Sequence, residues 1–287
     1  MNKIIITGAT GSIGMALINK CIKEKTEMWI ICRKNSPRRR WIPVNEYINI
    51  VEGDLDELES IDIPKDKYDA FYHLGWAGTF GEVRNNIEIQ EKNIQYTLDA
   101  VKLAHRSGCR RFIGIGSQAE YGRADGALFP GMPEKPENGY GMAKLCAGQL
   151  SRLMCSQIGM EHIWIRVLSV YGPYDGSNTL ISTVIRSLLE GTHVALTKGE
   201  QIWDYLYSED AAEAIYRLGM KGKNGKIYIL GSGEVRKLKD YVEIIKKILN
   251  GNDEIGYGDL PYSSEQVMHL EADISELTKN TGFVQQI

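Results

Sequence analysis

The run Thr7-Gly8-Ala9-Thr10-Gly11-Ser12-Ile13-Gly14 follows a β-branched stretch, Ile4-Ile5-Ile6, and opens a helical one. Glycines at every third position of a strand-to-helix junction leave few folds open. Gly8 permits a tight turn, Gly11 lets a pyrophosphate approach the backbone, and Gly14 lets the helix pack closely on the strand. The helix start offers free N–H groups and the positive end of a dipole to phosphates. Thr10, Ser12 and Ile13 complete the expected contacts of a dinucleotide site.

The rest of the first half alternates short β-rich runs with helical ones, the pattern of a parallel α/β sheet. Strands are expected at Lys3–Thr7, Glu27–Cys32, Ile48–Glu52, Ala70–Leu74, Arg111–Ile115 and near His162–Val167. Helices are expected from near Ser12, Ile87 and Tyr140. Right-handed crossovers make this a doubly wound Rossmann sheet. After Pro173 the pattern changes, and a helical run reaches Glu190. Tyr205–Arg217 and Lys226–Leu230 read as a return to the sheet, and Asp240–Leu249 as a further helix. The expected division is 1–168 plus 203–230 for the dinucleotide-binding domain. A smaller interleaved substrate lobe takes 169–202 plus 231–287.

Composition narrows the class. A hydrophobic content of 43% with 25% charged residues is that of a globular chain, and a net charge of −3 gives no pull toward nucleic acid or anionic membrane. No apolar run approaches the roughly 20 residues of a membrane span. The strand-like start leaves no room for a signal peptide. The five cysteines include no Cys-x-x-Cys pair, and the five histidines show no metal spacing. A cytoplasmic protein with reduced thiols and no metal is expected. The charge run Arg38-Arg39-Arg40 reads as a solvated loop.

An NAD site usually carries an Asp or Glu at the end of the second strand. Here that strand ends in Cys32-Arg33-Lys34-Asn35-Ser36, two cations and a hydroxyl. Arginine suits a 2′-phosphate, so the expected cofactor is NADP(H), with Arg33 its principal contact. Tyr140-Gly141-Met142-Ala143-Lys144 places a phenol and an ammonium on one helix face. The ammonium is expected to lower the phenol pKa from near 10, making an acid/base of Tyr140. Lys144 can also hold the nicotinamide ribose. Ser117, at the carboxyl end of the fifth strand, can hydrogen-bond a substrate oxygen that becomes an alkoxide.

Gly8/Gly11/Gly14, Ser117, Tyr140/Lys144, Arg166-x-x-x-Val170-Tyr171-Gly172-Pro173 and Asp204-Tyr205-x-Tyr207-x-x-Asp210 together resemble the extended short-chain dehydrogenase/reductases that act on nucleotide sugars. The resemblance covers about residues 3–232. It implies a substrate site between sheet and lobe, and Gly53-Asp54-Leu55 as the adenine contact, with Asp54 the acceptor. Leu74 is a further expected cofactor contact. It also implies a homodimer through the helices near Asn93 and Tyr140, with Asn93 a candidate support of the site.

Departures from the family pattern select the reaction. Sugar 4,6-dehydratases carry an Asp-Glu pair after the catalytic Ser/Thr, where this chain has Gln118-Ala119. Epimerase/reductases of the fucose-synthase kind carry a Cys and a His where Ala119 and Leu180 stand. Carbonyl reduction remains: an NADPH-dependent 4-ketoreductase of a nucleotide-linked 4-keto-6-deoxy sugar, with Gln118 touching the sugar. Ser169 stands where the family often has Asn, and Trp203 where it often has Arg. Ser169, Asn178 and Arg186 are the expected substrate contacts. The alternatives are an NAD-dependent C4 epimerase, and a cofactor-binding regulator without chemistry.

Overall fold

The computed structural model describes residues 1–249, 251 and 254–287. In chain order the strands are β1 (Lys3–Thr7), β2 (Glu27–Cys32), β3 (Ile48–Glu52), β4 (Ala70–His73), β5 (Arg111–Ser117), β6 (Glu161–Val167), β7 (Ser169–Tyr171), β8 (Val194–Leu196), β9 (Ile202–Trp203), β10 (Tyr205–Tyr207), β11 (Ile227–Leu230), β12 (Arg236–Lys237), β13 (Ile255–Tyr257) and β14 (His269–Leu270). The helices are α1 (Ser12–Lys23), α2 (Ile87–Ser107), α3 (Gly139–Gln157), α4 (Leu180–Glu190), α5 (Ser208–Lys221), α6 (Leu238–Ile248) and α7 (Ser275–Thr281).

Seven strands form one parallel sheet in the order β11-β6-β5-β4-β1-β2-β3. Chain order reverses between β1 and β4, the switch point where such sheets bind ligands. The central strands β4 and β5 are buried along their whole length, as expected where helices cover both faces. One core cluster lies on the α1 and α5 side, around Ile4, Ile6, Leu17 and Leu218. The other lies on the α2 and α3 side, around Phe71, Phe112 and Val101. β5 runs two residues past its expected end, which carries Ser117 to the tip of the strand.

Two expectations fail. The segment 205–217 does not rejoin the main sheet. Tyr205–Tyr207 pairs instead with Ser169–Tyr171 as a separate parallel ribbon, and residues 208–221 form α5, which packs on α1. The tail 231–287 does not stay wholly in the lobe either. Leu277 of α7 and Phe283 are buried in the core cluster of the main sheet, because α7 lies against α5 and β11. The lobe itself has a small core, Val184, Leu188, Val194, Val242 and Ile255, between α4 and α6.

Candidate active site

A cleft of about 1040 Å³ opens at the carboxyl ends of the sheet strands and reaches into the lobe. Every expected cofactor residue lies on it: Gly8 through Gly14 at the turn, Arg33 and Asp54 beyond β2 and β3, and Leu55 and Leu74 beside them. Ser117, Gln118, Tyr140, Lys144 and Ser169 line its other half. Asn178 and Arg186 do not line it, and both are exposed. The buried positions of α4 are Ile181, Val184 and Leu188. Arg186 falls two residues from the last two of these, on the opposite face.

The glycine turn is built to take phosphates. Gly8 has φ +71°, and a side chain there would strike the backbone of Leu74 and Gly75. A side chain at Gly14 would strike the backbone of Ala9, so the first turn of α1 lies directly on the loop. At Gly11 a side chain would meet only the Gly8 carbonyl oxygen, at an ordinary 3.8 Å. No side chain caps α1, its first turn holds no acid, and the buried Ser12 hydroxyl has no hydrogen-bond partner among the described residues. These free donors fit a dinucleotide pyrophosphate. Asp54 is partly used already: its carboxylate accepts from the Leu55 N–H at 2.7 Å.

The basic run beyond β2 is not a uniform solvated loop. Arg38 lines the cleft with Arg33 and Ser36, and stacks 5.2 Å over the Trp41 ring. Arg39 pairs with Glu52 at 2.5 Å. Trp41 in turn meets Tyr174, from the loop beyond β7, at 5.1 Å between ring centroids. Tyr174 lines the cleft and holds φ +66°, rare for a non-glycine residue. The two aromatics join the cofactor half to the lobe.

Ser117, Tyr140 and Lys144 come together as expected. The Ser117 hydroxyl accepts from the Ala119 N–H at 3.1 Å, which caps the turn Gln118–Glu120. A hydroxyl keeps its own proton to donate, so capping and catalysis are compatible. Gly141 lies against the Ala119 carbonyl so closely that a side chain would overlap it. The start of α3 therefore touches the turn after β5 backbone to backbone.

The electrostatics differ from expectation. Lys144 is buried, donates to the Ile115 carbonyl at 2.5 Å and sits 3.7 Å over the Trp76 ring. Burial pulls its pKa from 10.5 to about 7, opposed by the charge of Glu120. Burial also pushes the Tyr140 phenol upward, against the lowering by the Ser117 hydroxyl and the Arg84 charge. The net direction is therefore opposite to the expected one; the Lys144 ammonium stands 5.8 Å from the centre of the phenol ring and is bonded to Ile115.

Three supports lie outside the residues singled out from sequence. Glu120 is fully buried, accepts from the Ser117 N–H at 2.8 Å and from Trp164 at 3.0 Å, and pairs with buried Arg166 at 2.6 Å. Ser117-x-x-Glu120 is a capping-box spacing, so this one was readable. Trp76 donates to Gln90 at 3.0 Å and packs edge-on against Tyr140. Arg84 stacks over Tyr140. Asn93, weighed from sequence, exchanges two hydrogen bonds of 2.9 Å with the Ala77 backbone and so fixes the loop carrying Trp76.

The model of the NAD dependent epimerase/dehydratase family matches residues 4–231. The chain belongs to that family. It is 27% identical over 286 residues to the CDP-abequose synthase of Salmonella muenchen, covering 96% of this chain and 91% of that relative. It is also 27% identical over 271 residues to a trifunctional UDP-glucose 4,6-dehydratase/UDP-4-keto-6-deoxy-D-glucose 3,5-epimerase/UDP-4-keto-L-rhamnose-reductase of Arabidopsis thaliana. That match covers 88% of this chain but only 40% of the plant protein. Among solved structures, a UDP-N-acetylglucosamine 4-epimerase from Methanobrevibacter ruminantium superimposes with a TM-score of 0.89 at 23% identity, covering 99% of this chain and 93% of the other. Ser169 and Trp203 both line the cleft. The motif aspartates are structural: Asp204 accepts from the Ser232, Gly233 and Ala272 N–H groups, and Asp210 from those of Gln286 and Ile287. Among the described residues no helix is long and apolar enough to cross a membrane.

Proposed function

We propose that this family member reduces the C4 carbonyl of a nucleotide-linked 4-keto-6-deoxy sugar with NADPH. The observation that carries the reading is the meeting of Ser117, Tyr140 and Lys144 in the cleft while Gln118 and Ala119 follow Ser117. Neither of these can supply the acid or base of water elimination. Leu180, at the position of an epimerising His, packs against the lobe core. Arg33, Ser36 and Arg38 all line the cleft beyond β2, and two arginines there support a 2′-phosphate.

Bound NADPH would supply the hydride. The Ser117 hydroxyl donates to the carbonyl oxygen, and Tyr140 delivers the proton as that oxygen gains charge. Lys144 orients the ribose from its seat on Trp76. Residues 1–168 with 203–230 serve as the cofactor-binding body, and most of the remainder as the substrate lobe. The test is NADPH consumption with a panel of nucleotide-linked 4-keto sugars, with product stereochemistry read by NMR. Tyr140→Phe is expected to lose about a hundredfold or more in rate while still binding cofactor. Full activity in that variant sinks the assignment.

One observation favours a second reading, an NAD-dependent C4 epimerase. Trp41, packed on the main-sheet core, meets Tyr174 at the edge of the cleft, a contact that suits a cofactor kept rather than exchanged. Protein purified with about one NAD per chain, interconverting C4 epimers without consuming NADPH, would decide for it. A homodimer through α2 and α3 accompanies either reading. Exposed Met142, Leu150 and Leu153 on α3 support it, and sedimentation of the Leu153→Asp variant as a monomer is the expected check.

A further inference from the structure

We propose that Arg84 is the standing cation that keeps the Tyr140 proton transferable, a positioning residue for the acid/base step. This rests on the reading of Tyr140 as proton donor. The short turn Gly81–Asn85 that carries Arg84 is fastened to the start of α3, where the Asn85 side chain accepts from the Gly139 N–H at 3.0 Å. The guanidinium carbon stands 4.7 Å from the centre of the Tyr140 ring, nearer than the 5.8 Å of Lys144 Nζ. Arg84 lines the cleft, and its Nε is buried without a hydrogen-bond partner among the described residues. Salt bridges have claimed several other arginines of the sheet and its loops, such as Arg111 and Arg166; among the described residues none claims Arg84.

The groups facing Tyr140 divide as follows. Lys144, one turn along α3, is drawn toward Ile115 and Trp76 and is pulled to about 7, so near neutrality it is charged only part of the time. Ser117, at the tip of β5, lowers the phenol pKa through its hydroxyl, and Glu120 in the next turn raises it through its charge. Trp76 offers an uncharged edge. That leaves a guanidinium, which does not lose its proton in this range. Ionisation of a phenol enriches the ring and oxygen with negative charge, so a cation over the ring binds the ionised form more strongly than the neutral one. Arg84 thereby supplies the charge assistance that Lys144, in its buried setting, gives only in part.

The decisive measurement is the titration of the Tyr140 phenol alone. It is read as tyrosinate absorbance after a rapid pH jump, with the Tyr140→Phe trace subtracted. Arg84→Gln, compared with its own Tyr140→Phe double variant, is expected to raise the midpoint by about one pH unit. Arg84→Lys is expected to restore most of that shift. In ketone reduction the protonated phenol is the active form, so kcat falls as pH rises through its pKa. Arg84→Gln should move this alkaline limb upward and lower the kcat plateau about tenfold, with substrate KM unchanged. An unmoved midpoint in Arg84→Gln overturns the proposal. So does a Lys variant no better than Gln, or a raised substrate KM with the midpoint in place, which would make Arg84 a substrate contact. A shifted phenol in a protein that reduces no 4-keto sugar would uphold the role of Arg84 and sink the ketoreductase reading. Turnover with an unshifted phenol would do the reverse.

Discussion

Trp203 donates its indole N–H to the Ser169 hydroxyl at 2.8 Å. Both line the cleft, and they are two positions at which the sequence departs from the pattern it resembles. The departures are therefore matched, and each supplies the other's hydrogen-bond partner. The pair joins the entrance of β7 to the strand before β10 and sets an uncharged wall on the substrate side.

Trp203→Phe keeps the ring and removes the donor. Substrate KM is expected to rise severalfold with the cofactor KM unchanged. Together with Ser169→Ala, a double-mutant cycle should return a coupling of about 1 kcal/mol, read from kcat/KM. Strict additivity would mean that the contact does not shape the substrate site.

Arg33 and Arg38 face the same end of the cleft. Arg33→Ala and Arg38→Ala should each raise the KM for NADPH about tenfold or more, and leave that for NADH nearly unchanged. Parallel changes for both cofactors would place these side chains away from the 2′-phosphate. Arg38→Ala is also expected to loosen Trp41, on which the guanidinium rests.

Lys144 opposes folding at neutral pH. Its folded pKa, about 7, lies below the ordinary 10.5. As pH falls through that window the unfolded chain takes up the proton first, so stability declines, and the cost is complete below the folded value. Lys144→Met should therefore raise stability at pH 7 by about 2 kcal/mol, after allowing for the lost bond to Ile115. The gain should vanish above the ordinary lysine pKa. Urea unfolding at several pH values measures this, and such a variant is expected to be inactive.

Glu120→Gln leaves buried Arg166 with Glu134, a partly exposed partner at 3.0 Å, as its remaining counter-charge. A loss of about 2–3 kcal/mol in urea unfolding is expected, and Arg166→Met in the same chain should recover much of it. Because the carboxylate also holds the Ser117 N–H, the single variant should lower kcat more than it raises substrate KM.

What the sequence disclosed followed from local geometry. The glycine turn, the strand-end serine and the Tyr-x-x-x-Lys spacing each lie within one turn or junction, where backbone rules act directly. What it concealed depends on chain segments far apart. Arg84 reaches Tyr140 from the loop after β4, and Trp41 finds Tyr174 from a loop more than a hundred residues away in sequence. No periodicity announces either contact. Asn178 and Arg186 are plausible by residue type, but neither lines the cleft: Asn178 sits exposed in the turn before α4, and Arg186 on the outer face of that helix. The phenol went the other way from expectation because burial, invisible in a spacing, outweighed a lysine that had found other partners.

The bare contact between Gly141 and the Ala119 carbonyl has a bearing on redesign. The separation of serine and tyrosine is set by main chain touching main chain, so side chains elsewhere in the cleft can be exchanged for new substrates without disturbing it. A single methyl at Gly141 would wedge the two apart. The most permissive-looking residue of the site is thus the one that tolerates least.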